Sequence, residues 1–315
     1  MRELINEAAK YIFFITLRQS LHFLPMRVMY GLGDMLGSIM VGEKREVIKD
    51  ELSYLFPEMP HEEMKHILAK SMRNFRKDLF EIWTFPKMDQ QKINRIARIN
   101  GISHIEDALA SKKGAILCLA HFGSWKIVLP ALGYNGYSVN QIAADPMFFV
   151  GKNESAAHNR IMTYEKYCEQ SLPARFIYVD GKMVHKNLYK ALKNNEIVVA
   201  ALDGVIGEGR SSQPFLGKEI RLSPGPLALA QRTGATPLAM FTVREKDDRH
   251  RIDIHPPFAV DDNDPEFILK WLKCFADLFA KYVSKHPDHY ARFLYTIKKY
   301  PVKQGSGITP QEHRS

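Results

Sequence analysis

Three polar residues stand directly behind apolar runs: His121 after Ala115–Ala120, Asp145 after the run that ends at Ala144, and Asp203 after Ile197–Leu202. A neutral imidazole at the end of a buried strand can take a proton from a hydroxyl or amine nucleophile. Phe122, Gly123, Ser124, Trp125 and Lys126 follow His121 and read as the start of a helix. Gly123 allows close approach, and free N–H groups at such a start could hold an anion or an oxyanion. A hydrogen-bonded structural histidine would leave the same trace in sequence. A base histidine also needs its other nitrogen held by an acceptor. Five residues on stands Lys126, which can neither accept that N–H nor stabilise an imidazolium. The acceptor must then come from elsewhere: Asp145, Glu154, Asp203 or a backbone carbonyl.

The elements that would position these residues follow from periodicity. From about Arg95 onward, short apolar or alternating strands ("RIARIN", "GAILCLA", "YSVNQIA", "RFIYV", "EIVVAALD", "ATPLAMFTVRE", "RIDIHPP") alternate with amphipathic helical stretches, and a helix from about Asp264 to His286 closes the series. That order predicts an α/β fold, a mostly parallel central sheet flanked by helices. Ligands in such sheets bind beyond the carboxyl ends of the strands, where His121, Asp145 and Asp203 would converge. Upstream, 42–56 and 60–85 read as amphipathic helices, with Arg73, Arg76 and Lys77 expected as a solvated basic face. Residues 1–42 hold two apolar stretches broken by Arg18, His22 and Arg27. Neither reaches the roughly 20 apolar residues of a spanning helix, so they are expected to lie in a membrane interface. The expected organisation is 1–42 interfacial helices, 43–94 a helical region continuous with the catalytic domain, 95–300 the α/β domain, and 301–315 a loose tail.

Composition narrows the chemistry. The 315 residues carry a net charge of +9 and only three cysteines, Cys118, Cys168 and Cys274, with no Cys-x-x-Cys. That excludes a disulfide framework and a standard zinc motif, and Cys118 reads as a small core residue. The positive charge points to acidic partners. Nucleic acid is not among them, because no recognition motif is visible and the basic residues are spread along the chain. "GVIGEG" lacks the order of a dinucleotide fingerprint, and there is no Walker A motif.

"AHFGSWKIVLPAL" resembles the signature block of the bacterial lipid A late acyltransferases, the lauroyl/myristoyl branch of the lysophospholipid acyltransferase superfamily, which reads His-Phe-Gly-Asn-Trp-Glu here. The later stretch "LYKALKNNEIVVAALDGVIGEGRSSQPFLGKEIRLSPGPLALAQRTGATPLAMFTVRE" follows the family order: a buried strand ending in Asp, a Gly-rich loop, a "PFLG" corner and a Gly-Pro-led helix. The resemblance covers about 95–257 and departs at Lys126, where the family has an acid. It departs again in "HPDHYARFLYTIKKY", where the family has a Trp-rich segment.

The resemblance implies an acyltransferase at the cytoplasmic face of the bacterial inner membrane, peripheral or monotopic. It would move an acyl group from an acidic acyl carrier protein, or another acyl-thioester donor, to a hydroxyl or amine of an anionic lipid or glycolipid. No metal and no organic cofactor is implied. His121 takes the base position, Arg160 an arginine position suited to an oxyanion or phosphate, and Asp203 the strand-terminal acid. Phe122, Gly123, Trp125 and Lys126 fall on the substrate side of the block, and Arg210, Arg221 and Arg232 in or near the acceptor-side loops. Two alternatives stay open: transfer of an aminoacyl or other group from carrier to lipid, and a non-catalytic lipid- or carrier-binding relative.

Overall fold

A computed structural model describes residues 2–21, 23–38, 43–145, 156–179, 183–204 and 209–299. Glu154 and the tail 301–315 lie outside them. The N-terminal third is helical: α1 (Arg2–Leu21), α2 (Met26–Ser38), α3 (Glu43–Leu55), α4 (His61–Thr84) and the short α5 (Gln90–Ile96). The sheet part then runs β1 (Ala97–Asn100), α6 (Ile102–Ala110), β2 (Ala115–Leu119), α7 (Val128–Gly133), β3 (Val139–Ala143), α8 (Ala156–Gln170), β4 (Arg175–Tyr178), α9 (Val184–Lys193) and β5 (Ile197–Ala201). It continues with β6 (Ser211–Phe215), β7 (Lys218–Leu222), α10 (Gly225–Thr233), β8 (Thr236–Arg244), β9 (His250–Ile254), α11 (Phe267–Lys285) and α12 (Ala291–Lys299).

Seven strands form one sheet in the order β1-β9-β8-β2-β5-β3-β4. β8, β2, β5, β3 and β4 are mutually parallel, and only β8 and β9 pair antiparallel. The expected mostly parallel α/β sheet is thus what forms. β2 is buried along its whole length, as a strand covered on both faces must be. Its alternate side chains feed two cores: Ile116 and Cys118 join α11 on one face, and Leu117 and Leu119 join α4, α6 and α7 on the other. α4 contributes to both, with Met64, Ile67, Leu68 and Met72 in the first core and Phe80, Ile82 and Trp83 in the second.

α1 and α2 pack on that scaffold by one face. Phe14 meets Trp83 edge-on at 5.0 Å. Gly37 lets α2 approach α4 so closely that a Cβ there would lie 2.6 Å from the Arg73 Cα. The other face exposes Ile12, Phe13, Phe23, Val28 and Met35. Among the described residues no helix is long and apolar enough to cross a membrane.

Two expectations need correction, and one element was not foreseen. Lys77 is not on a solvated face: it is buried and bonded to Asp34 and Asp248, because α2 and the β8–β9 turn close over it. The stretch expected as a Gly-rich loop and corner contains a hairpin, β6–β7, whose turn residues Leu216 and Gly217 both have positive φ (51° and 71°), the signature of a type I′ turn. The segment after α11, for which the sequence named no element, is structured. Pro287–His289 makes a 3-10 turn, and α12 folds back onto α3 and α4.

Candidate active site

The parallel register of the central strands sets the site. Leu119 on β2 pairs with Ala201 on β5, and the Leu202 N–H donates to the Leu119 carbonyl at 2.8 Å. His121 and Asp203 each lie two residues beyond that pair, so they emerge side by side. The His121 backbone N–H donates to both Asp203 carboxylate oxygens at 3.1 and 3.0 Å. His121 Nδ1 lies 2.8 Å from Asp203 Oδ1. A carboxylate only accepts, so Nδ1 carries the proton and Nε2 keeps its lone pair. Of the acceptors open in sequence, the structure puts Asp203 on the ring. Asp145 lies on the next strand out and bonds Lys166 at 2.5 Å.

The imidazole plane is held by aromatic rings. Phe293 of α12 stacks on it at 4.0 Å and 4°, and Trp125 meets it edge-on at 5.0 Å. Behind Asp203, burial and then the neighbouring carboxylate hold the Tyr290 phenol well above its ordinary range. Arg210 donates to the Leu202 carbonyl at 3.1 Å. Burial pulls its guanidinium pKa down, and Asp203 opposes that.

Of the N–H groups from His121 onward, the first three are already engaged. The His121 N–H serves Asp203, the Phe122 N–H donates to Ala120 at 2.7 Å, and the Gly123 N–H donates to the His289 carbonyl at 2.9 Å. Gly123 is needed for a different reason: its φ is +60°, and a Cβ would sit 2.0 Å from the Thr242 carbonyl oxygen. The helix expected there begins as a 3-10 turn, Trp125–Ile127, that runs directly into α7.

The other residues singled out in sequence scatter. Phe122 is core, packed among Phe241, Phe279, Tyr282 and His289. Arg160 lies on α8 with its guanidinium 4.3 Å above the Tyr11 ring, on the α1 side. Arg221 is exposed on the β6–β7 hairpin, and Arg232 is exposed near the end of α10. None of these four lines the cavity at His121. Trp125 and Lys126 do.

That cavity has a volume of 380 Å³, within the roughly 300–1,000 Å³ of small-molecule pockets. Most of its wall is apolar, with Leu129, Ile142, Phe176, Leu188 and Leu229 among the lining residues. Ser223, Gly225 and Pro226, at the N-terminus of α10, also line it. Lys126 is not loose in this wall. Its ammonium bonds Glu169 of α8, with Glu165 close enough to raise its pKa further against the opposing effect of burial. Burial, and then Glu169, lift Glu165 to about 7 despite Lys126.

A buried polar network, unseen in sequence, fixes the loop after His121. Arg244, at the end of β8, donates to Asp78 at 2.5 Å, Glu81 at 2.9 Å and Ser124 Oγ at 3.2 Å. Burial alone would raise the Glu81 pKa, but Arg244 and then His250 bring it down to about 2. The Arg244 backbone N–H donates to His289 Nε2 at 2.9 Å, and His289 Nδ1 donates to Asp288 at 2.8 Å. Lys70 and Asn74 close the chain at Asp288. In sequence these residues look like ordinary surface charges; the partners of Arg244 lie 163 and 166 positions away.

Comparison with known proteins gives a consistent picture. The model of the bacterial lipid A biosynthesis acyltransferase family matches residues 4–299. The lipid A biosynthesis lauroyltransferase of Escherichia coli K12 is 25% identical over 279 residues, 85% of this chain and 84% of that protein. A phosphatidylinositol mannoside acyltransferase of Mycobacterium tuberculosis is 25% identical over 225 residues, 70% of this chain and 67% of that protein. The Mycolicibacterium smegmatis protein of the same name is 23% identical over 246 residues, 77% and 76% of the two chains.

Proposed function

The chain belongs to the bacterial lipid A biosynthesis acyltransferase family, and on that premise, with acyl transfer in lipid biosynthesis as its activity, we propose that His121 is the general base and Asp203 its orienting carboxylate. The supporting observation is the bond between Asp203 and His121 Nδ1 on a ring that lines a largely apolar cavity. With Nδ1 engaged, Nε2 is the ring atom left to receive a proton. The acceptor hydroxyl gives its proton to Nε2 while its oxygen attacks the carbonyl carbon of a thioester. The C–S bond breaks, and the imidazolium returns the proton to the leaving thiolate. Asp203 stabilises the imidazolium during this exchange, as the acid of a triad does. The apolar wall receives the acyl chain. The positive end of α10, at Ser223, Gly225 and Pro226, is the part of the wall suited to the oxyanion.

The donor in this reading is an acyl carrier protein, whose acidity suits the net charge of +9. The acceptor is a lipid reached from the cytoplasmic face of the bacterial inner membrane. Ile12, Phe13 and Phe23, with Val28 and Met35 two turns apart on α2, form the apolar surface that would dip into it. The organisation in this reading is 1–42 as membrane contact, 43–94 as helical support and 95–300 as the catalytic domain.

The test is acyl transfer from acyl carrier protein to a bacterial lipid extract, with the product identified by mass. His121→Ala should remove the product. Asp203→Asn, which keeps the shape and loses the charge, should lower the rate by about two to four orders of magnitude, the range of a positioned base. Full activity in either variant would refute the assignment. An added mass other than a fatty acyl group would move the reading to transfer of that group.

A further inference from the structure

The cavity at His121 carries more polar character than a hydrocarbon chain needs. Besides His121, His185, Ser223 and Thr296, four polar side chains gather on one part of its wall: Lys126 beyond β2, Gln141 on β3, and Glu165 and Glu169 on α8. Glu165 and Glu169 are four residues apart and share a helix face. Lys126 and Glu169 neutralise one another through their bond. Among the carboxyl and amide groups, two acceptors then remain.

The first is Gln141, only 2% exposed. Its amide N–H donates to the Ile142 carbonyl at 2.6 Å. A carbonyl can only accept, which fixes the amide orientation and turns Oε1 the other way. That oxygen is buried and has no hydrogen-bond partner among the described residues. The second is Glu165, which makes no hydrogen bond or ion pair with a described residue and meets Lys126 only at longer range. Burying the Gln141 oxygen unpaired is costly, and the half-buried Glu165 carboxyl bears part of the same cost. The wall therefore asks for a donor, and for positive charge once Glu165 is ionised. A phosphate would offer the reverse. The Trp125 ring, already 5.5 Å from the Lys126 ammonium, adds an aromatic face suited to a cation.

We infer that the acceptor carries a primary ammonium group close to the acylated position, and that Glu165 and Gln141 receive it beside Trp125. The inference rests on the assignment of acyl transfer to His121 and narrows its acceptor to amine-bearing lipids. Lys126 then acts as a positioning residue, tying Glu169 to the loop so that Glu165 alone is left for the ligand.

The experiment uses the full chain and three soluble probes of equal length: an octyl-chain vicinal amino alcohol, the matching vicinal diol, and octyl phosphate. Affinities are measured by titration calorimetry at about pH 8, where amine and carboxyl are both charged. The amino alcohol should bind at least about tenfold tighter than the diol, the size of a charge-assisted hydrogen bond. That gap should collapse in Glu165→Gln and shrink in Gln141→Leu, with diol affinity falling less than that of the amino alcohol. Equal affinity in the wild type, a gap that survives both substitutions, or tighter binding of octyl phosphate would each overturn the inference. Turnover separates it from its premise. If the diol is acylated as well as the amino alcohol, acyl transfer stands and the ammonium site falls. If the amino alcohol binds preferentially and neither probe is acylated, the ammonium site stands and acyl transfer falls.

Discussion

Replacing Lys126 by Glu would restore the residue type that the family block carries at this position, and the structure says it would do harm. Lys126 Nζ bonds Glu169, with Glu165 one turn away on the same helix face. The side chains of Lys126 and Glu169 are 27% and 8% exposed. Breaking a fully buried pair by removing one partner costs about 3–5 kcal/mol, and the partial exposure of Lys126 lowers that to about 2–4 kcal/mol. A glutamate adds a third carboxyl to two that are already crowded. Groups so placed hold protons rather than ionise together, so their folded pKa values rise above the unfolded range near 4.5. Stability is then intact below the unfolded value and falls as pH climbs through the folded ones. Urea unfolding at about pH 5 and about pH 8 should show Lys126→Glu destabilised at both and more so at the higher pH. Lys126→Met should be destabilised less steeply. Lys126→Met combined with Glu169→Gln should recover most of the loss, because the stranded charge is gone. Acyl transfer should not rise in Lys126→Glu, since Asp203 already occupies His121 Nδ1. A Lys126→Glu protein as stable as the wild type at the higher pH, with faster transfer, would refute this account and return the acid to position 126.

Glu165 gives the wild type a pH signature of its own. With its pKa lifted to about 7, the native state holds a proton that the unfolded state releases near 4.5, so stability falls as pH rises through that interval. Glu165→Gln removes the slope and should exceed the wild type by roughly 1–3 kcal/mol above neutrality, with little difference at about pH 5; parallel unfolding curves at both pH values would contradict it. Arg244→Met should cost about 3–5 kcal/mol in thermal or urea unfolding, because Glu81 is left buried, and Asp78 half-buried, without their cation. A loss below about 1 kcal/mol would show that the network is not what holds the loop after His121.

The strands were legible because burial on both faces writes itself as uninterrupted apolar runs, as in "AILCL" and "IVVAA". The polar residue closing each run was legible too, and with it the three strand ends. The β6–β7 hairpin was not, since Pro214 interrupts the strand pattern and the positive φ of the turn falls on Leu216 as well as on Gly217. α12 was missed because its aromatic residues read as divergence from a family segment. Its Phe293 nevertheless covers the His121 ring. The Arg244 network depends on contacts between β8 and α4, and no local pattern distinguishes its charges from surface ones. Arg160 shows the converse: a residue type suited to the chemistry, on the expected helix, whose guanidinium rests on Tyr11 instead.

The choice among carboxylates for His121 turned on register, which the sequence does not contain. Asp145 and Asp203 both follow apolar runs, and the pairing Gln141 with Val199 carries forward to place Asp145 level with Asp203. Of the two strands, β5 is adjacent to β2 and β3 is not, so Asp203 rather than Asp145 is within reach of the ring. Once the neighbouring strand supplies the acid, the position five residues after His121 no longer has to hold the imidazole. It still points into the same cavity wall, against α8. A lysine there, answered by Glu169 with Glu165 to spare, changes what the cavity can bind without disturbing how the base is held. Under the proposed roles, the departure in the block bears on the acceptor rather than on the base, and the two can be altered independently: Asp203 for the rate, Glu165 for the ligand.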